Sequence, residues 1–277
     1  MICMRARWGT SRNLVFDSHP NDEILQLTTN CFLKTNTYPE NLDRFQLDLE
    51  LQPQPNDTTC GPTCLQAIYL YYGDTVGLDQ LTHHIPELEN GGTLAVHLGL
   101  HALQRGYQAR IWTFNLRIFD PTWFHHGVPK AGLDDRLKHQ EEYREDPKRR
   151  MAAAAYLAFH LNKGDIRFGV LNGKLIRSIL RAQYPLIVGL SSTFLYNACR
   201  EMPDTNKDDD LNGDPCGHFV VLCGYDKQSR LVKVADPYHD NPLSRAGYYQ
   251  VDLDRLINAI LLGVLTYDGN LLQIYPK

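Results

Sequence analysis

Cys60 stands where a helix is set to begin. Thr58-Thr59-Cys60-Gly61-Pro62 is followed by Cys64, Leu65, Ile68, Tyr69 and Tyr72 at helical spacing, and Gly73 closes the run. Thr58 or Thr59 suits the cap, Pro62 the first turn and Gly73 the end. The spacing therefore predicts a helix whose exposed N-terminus carries the Cys60 sulfur. Unpaired backbone N–H groups and aligned peptide dipoles favour negative charge there, and a thiol attacks as its thiolate. Cys60 is on these grounds the candidate nucleophile. Cys64, one turn further along the same face, reads as core, and Cys31, Cys199 and Cys223 read as small buried hydrophobes. A metal held by Cys60 and Cys64 lacks a second matched pair and would occupy the thiolate.

A nucleophile of this kind needs a base, and the base needs an orienting partner. Two apolar runs, His218 to Gly224 and Leu231 to Ala235, flank Tyr225-Asp226-Lys227-Gln228-Ser229-Arg230 in the manner of a hairpin. A turn centred on Lys227 and Gln228 sets His218 opposite Asp236 or Pro237, with Cβ atoms roughly 5 Å apart. A lone histidine at a strand start reads as a satisfied core residue; a carboxylate across the ladder makes it a base with an orienter. Gly217 beside it is expected to leave room for a substrate, and Pro237 ends the second strand so that Asp236 sits at its mouth. The pairs His83-His84 and His125-His126 have no comparable partner. Gln52 and Gln54 both lie close before Cys60, and either amide is placed to donate to the oxyanion of a tetrahedral intermediate with the Cys60 N–H.

Elsewhere the pattern predicts helices over Leu78 to His84, Val96 to Gln104 and Val251 to Leu262, the last capped by Asp252 and stopped by Gly263. Strands are expected over Tyr107 to Phe114 and Pro185 to Leu190. Six acidic and six basic residues between Asp134 and Arg150 read as a solvated helix face. Helices gathered early and strands gathered late predict an α+β fold with an antiparallel sheet. The domain reading is an N-terminal extension, 1–50, packed on a core domain, 51–277, with a helical insertion at about 134–180.

A formal net charge of -4 over 277 residues supplies no basic field for a polyanion, which argues against a nucleic-acid partner. The longest apolar run, Leu256 to Tyr267, is too short to span a bilayer, so no membrane span is expected. Met1 to Trp8 lacks the apolar core of an export signal, and seven cysteines is an odd number. A cytoplasmic chain with free thiols is the resulting expectation. The acidic segment Glu201 to Asp214 resembles the start of a calcium loop at Asp208, but its twelfth position is Phe219, so a loop at the site mouth favouring basic or amine-bearing substrates is expected instead. No cofactor and no metal are expected, and no sequence feature specifies an oligomeric state.

Three blocks, QPNDTTCGPTCLQAIYLYYG, YPLIVGL and GHFVVLCGYDKQSRLVKVADPY, together resemble the papain-like cysteine peptidases that process bacteriocin leaders after a double glycine. The resemblance covers about 54–73, 98–114 and 184–240. It implies a papain-like fold, helical in its N-terminal part, with the nucleophile at a helix N-terminus packed on an antiparallel sheet. It further implies Cys60 as nucleophile, His218 as base, Asp236 as orienter and Gln54, rather than Gln52, at the oxyanion. The family usually has aspartate directly before the nucleophile, where Thr59 stands here, and a stand-alone domain without a transporter portion is expected, so leader processing is not expected to carry over. The implied function is a cysteine peptidase or amide hydrolase acting on a peptide or peptide-like substrate through a thioester. The alternatives are amidase or transpeptidase acyl transfer at the same site, and a non-catalytic metal-binding or regulatory module using Cys216, His218, Cys223 and His239.

Overall fold

The helix announced by Cys60 forms as α1, Cys60–Tyr71, ending at Tyr72 with Gly73 in the left-handed region at φ 77°. The computed structural model describes residues 43–89, 91–125 and 132–277, which belong to the unit Leu42–Lys277. Neither threonine caps α1 through its side chain: Thr59, the cap residue, donates its hydroxyl to Asn56 O at 3.2 Å, and Thr58 donates to Asn56 Oδ1 at 3.2 Å. Their hydroxyls tie down the turn that leads into the helix.

In chain order the elements are β1 (Arg44–Gln46), α1, α2 (Leu78–His84), α3 (Ala95–Gln104), β2 (Gln108–Thr113), α4 (Gly132–Tyr143) and α5 (Pro147–Leu161). Then follow β3 (Asp165–Phe168), α6 (Gly173–Arg181), β4 (Leu186–Ser191), α7 (Ser192–Tyr196), β5 (Gly217–Asp226), β6 (Leu231–Ala235), β7 (Tyr248–Asp252), α8 (Leu253–Leu262) and β8 (Asn270–Tyr275). This is an α+β fold built on one sheet, ordered β3-β2-β8-β4-β5-β6-β7, with β1 added along β5 beyond the end of β4. The pairs are antiparallel except β2 with β3, which run parallel.

Central position explains composition. β4 (LIVGLS) lies between β8 and β5 and is buried at every residue, as a strand covered on both faces must be. α1 packs on β5, and Gly61 permits the close approach: a Cβ there would lie 2.8 Å from Thr93 Cγ2 and 3.2 Å from Phe219 Cδ2. Cys64 is buried and donates its thiol to Phe219 O at 3.3 Å, so the second cysteine of α1 fastens the helix to the strand that carries His218.

Of the residues read as an N-terminal extension, 1–42 lie outside the described residues, while Leu47 and Leu49 enter the core beside β1. The segment 134–180 carries α4, α5 and α6 and also strand β3 on the edge of the sheet. The helix expected from Val251 starts two residues later, because Val251 and Asp252 are still in β7, opposite Val232 and Leu231; Asp252 also caps α8 by accepting from Asp254 N and Arg255 N. His126 lies outside the described residues.

Candidate active site

α1 carries Cys60 at its first residue and β5 carries His218 at its second, so the packing of helix on strand sets the thiol against the imidazole. His218 Nε2 and Asp236 Oδ1 are 2.8 Å apart, with the histidine side chain 9% exposed and the aspartate wholly buried. The same ring makes a side-chain hydrogen bond with Cys60. With Nε2 committed to Asp236, Nδ1 is the nitrogen left for the sulfur. Three residues from two distant parts of the chain thus meet in one line.

The ladder does not place His218 and Asp236 directly opposite each other, as the hairpin spacing predicts. The turn pairs Asp226 with Leu231, one residue later than a turn centred on Lys227 and Gln228, and a bulge between Leu222 and Gly224 then brings the second strand back by one residue, so that Val221 faces Ala235. Continued by one step, this sets Asp236 level with Val220, two residues from His218 on the same face, and the contact is diagonal. Nor is Gly217 an opening for substrate: a Cβ there would fall 2.6 Å from Thr266 Oγ1, so its small size serves packing against the turn at Gly263–Thr266.

Burial alone would raise the Asp236 pKa, but hydrogen bonds from His218, Tyr196 and Tyr249 and the histidine's charge outweigh it and hold the carboxyl below its ordinary range. For His218, burial opposes the charged form, while hydrogen bonds and charges from Asp236 and Cys60 raise its pKa to about 10. The arrangement favours carboxylate and imidazolium side by side. A base raised above 6.5 stabilises the fold fully below that value and loses its contribution as pH climbs through about 10, whereas Asp236, depressed below 3.8, contributes above that value and loses its contribution on acidification. In urea titrations the stability difference between wild type and His218→Ala is therefore expected to be greatest between pH 3.8 and 6.5 and to narrow toward pH 10. A difference constant over that range would contradict an imidazolium at His218.

Gln54 is tied to the same corner. Its backbone N–H donates to Pro237 O at 2.9 Å, one residue from Asp236, and its Nε2 donates to Asn56 O at 2.9 Å, leaving the second amide hydrogen uncommitted. Gln52 lines a separate cavity with Glu50, Gln66, Leu70 and Asp74. The alternative set Cys216, His218, Cys223 and His239 is not brought together. Cys223 is buried near Lys233 O, Cys216 is pushed up to about 11 by burial and then by Glu201, and His239 packs against Gly247. Among the described residues no group of three or more His, Cys, Asp or Glu side chains is arranged to hold a metal ion.

Two residues that sequence reasoning does not find complete the site. Tyr196 and Tyr249 donate their hydroxyls to Asp236 Oδ2 at 2.6 and 2.7 Å. Tyr249 has a faint signal in the alternation of β7, where it and Val251 are buried between exposed Tyr248, Gln250 and Asp252; Tyr196, at the end of a five-residue helix, has none. Asn206 of the acidic segment reaches Asp57, three residues before Cys60, through Nδ2 to Oδ2 at 3.4 Å.

No protein-family model matches the chain, and no curated protein does. Among solved structures it is similar to the peptidase domain of Streptococcus ComA, a bi-functional ABC transporter involved in quorum sensing, at 15% identity over 82% of this chain and 98% of that one, with a TM-score of 0.38. It is similar to a double glycine motif protease from an AMS/PCAT transporter, solved with its leader peptide, at 14% identity over 84% and 94%, with a TM-score of 0.39. Xylellain, a cysteine protease from Xylella fastidiosa, is 14% identical over 85% of this chain and 87% of that one, with a TM-score of 0.40.

Proposed function

We propose that the protein is a papain-like cysteine hydrolase that cleaves an amide bond in a peptide or peptide-like substrate. The observation that supports this reading is the line from Cys60 through His218 to Asp236, with the thiol at a helix N-terminus and the imidazole fixed at Nε2. With the Cys60 proton already held on His218 as imidazolium, the thiolate attacks the substrate carbonyl carbon, forming a C–S bond and an oxyanion. The Cys60 N–H and the second Gln54 amide hydrogen donate to that oxygen. Collapse expels the amine, which leaves with the proton from His218. Water, deprotonated by His218, then resolves the thioester to acid and thiol. An amine in place of water would give acyl transfer, and product analysis with added amines separates the two outcomes.

Intact-mass labelling with limiting iodoacetamide near pH 6 tests the nucleophile. Fast single labelling is expected, abolished in Cys60→Ala and slowed in His218→Ala. Slow, diffuse labelling across all three proteins would return the site to the non-catalytic reading.

The acidic segment beside Asp57 supports a preference for basic or amine-bearing substrates. Asp209 accepts from the Leu211 and Asn212 N–H groups and so holds the loop, which makes Asp208 and Asp210 the residues to neutralise. The Asp208→Asn, Asp210→Asn variant is expected to raise KM for a lysine-bearing peptide several-fold at low salt and to leave a neutral peptide unchanged. Equal effects on both peptides would remove the loop from substrate choice. Residues 1–50 and 134–180 lie outside the motif-bearing blocks and are assigned to shaping that choice. Among the described residues Cys60, Cys64, Cys199, Cys216 and Cys223 are free, which fits a reducing, cytoplasmic setting, and no helix is long and apolar enough to cross a membrane.

A further inference from the structure

Asp236 has more donors than an orienting residue requires. Oδ1 accepts from His218 Nε2 at 2.8 Å and from the Tyr238 N–H at 2.9 Å, while Oδ2 accepts from the hydroxyls of Tyr196 at 2.6 Å and Tyr249 at 2.7 Å. A carboxylate offers about four acceptor positions, so the set is full. A protonated Asp236 would have to turn one of these donors away.

The two phenols come from outside the β5–β6 hairpin. Tyr249 lies in β7, and Tyr196 is the last residue of α7. α7 is itself fixed: Arg255 of α8 donates Nε to Leu195 O at 2.9 Å and Nη2 to Phe194 O at 3.1 Å, and Ser191 Oγ accepts from Phe194 N at 3.3 Å. Burial, followed by the charge of Asp236, drives both phenol pKa values far above their ordinary range, so both are neutral donors at any working pH. The titratable groups facing the His218–Asp236 pair are Cys60 and Cys64 of α1, Tyr196 of α7 and Tyr249 of β7.

Resting on the cysteine-hydrolase reading, we infer that Tyr196 and Tyr249 are positioning residues. Their hydroxyls fix the Asp236 carboxylate toward His218 and draw charge off Oδ2, so that the histidine holds its proton firmly enough to pair with the thiolate and loosely enough to give it to the leaving amine. A carboxylate without these donors would bind the imidazolium more strongly. The catalytic acid would then be too weak for its second task.

The test is an NMR titration of the His218 imidazole, identified by its loss in His218→Ala, in Tyr196→Phe, Tyr249→Phe and the double variant. Each loss of a donor is expected to move the His218 midpoint upward, by on the order of one unit when both are gone. Tyr72→Phe is the control, since its hydroxyl donates to Ile274 O at 2.9 Å away from the site, and it is expected to lower stability without moving the midpoint. Site-specific 3-fluorotyrosine at position 196, which keeps the shape and strengthens the donor, is expected to move the midpoint downward and serves even where a phenylalanine variant folds poorly. Midpoints unmoved in both directions, with stability lowered as in Tyr72→Phe, would reduce the tyrosines to packing and overturn the inference. The titration needs no substrate. Slow Cys60 labelling in wild type fails the hydrolase reading, whereas fast labelling with an unmoved midpoint fails this inference alone.

Discussion

Cys60→Ala is expected to lower hydrolysis of a fluorogenic peptide pool by roughly 10⁴-fold or more, and His218→Ala by a similar factor, with the double variant no worse than either single. The reason is chemical unity. The thiol without its base is a poor nucleophile, and the base without the thiol has nothing to deprotonate, so removing the second partner takes away nothing further. Cys60→Ser is expected to be comparably inactive despite its near-identical shape, because the hydroxyl does not ionise where the thiol does. The Cys60 substitutions should not greatly disturb the fold, since the Cys64 thiol still fastens α1 to Phe219 O of β5, whereas His218→Ala also gives up the pairing with Asp236 and its activity is to be compared at equal folded fraction. Losses that simply multiply in the double variant would mean that the two side chains act on separate steps.

Asp236→Ala is expected to cost about 3–5 kcal/mol of stability, because it strands an imidazolium and two phenols around a wholly buried position. Asp236→Asn should cost much less. Its amide oxygen still accepts from His218 Nε2, and the tyrosine hydroxyls can rotate to accept from the new NH₂ group. The charge that holds the His218 pKa up is nevertheless gone while burial, which lowers it, remains, so the midpoint of about 10 should fall. The asparagine variant is therefore expected to keep its fold and more activity than the alanine variant, with the alkaline limb of its pH–rate profile moved toward lower pH. Urea midpoints and pH–rate profiles of the two proteins decide the matter. Equal losses in both would show that Asp236 acts through its charge alone and not by holding the ring.

The elements readable in the sequence are those whose ends carry their own chemistry. α1 has Pro62 near its start and Gly73 past its end, α8 has Asp252 at its cap, and β4 is a short apolar run of a length only a buried strand uses. β8 (NLLQIY) escaped, although it lies in the middle of the sheet between β2 and β4, because a run containing Asn270 and Gln273 alternates with neither period. β3 escaped because its four residues follow a long charged helical stretch and gain strand character only by pairing with β2. The threonines before Cys60 were misleading as caps: the hydroxyls that cap other helices are taken here by Asn56.

The family resemblance alone chose Gln54 over Gln52; amino-acid order by itself indicated the candidate groups in kind and roughly where they stand: a cysteine at a helix start, a histidine opening a strand and an aspartate ending the next. These follow from local chemistry, since caps, turns and strand ends are written within a few residues of each other. The tertiary structure decided how they meet. The turn at Gln228 and Ser229 and the bulge at Cys223 together set the His218–Asp236 contact as a diagonal one, and the packing of α1 on β5 brought the sulfur to the ring. His218 first, and then two tyrosines from α7 and β7, hold the aspartate in its charged form against burial. Such contacts join residues 13 to 40 positions apart through hydrogen bonds that exist only once the sheet is assembled, and no local pattern records them.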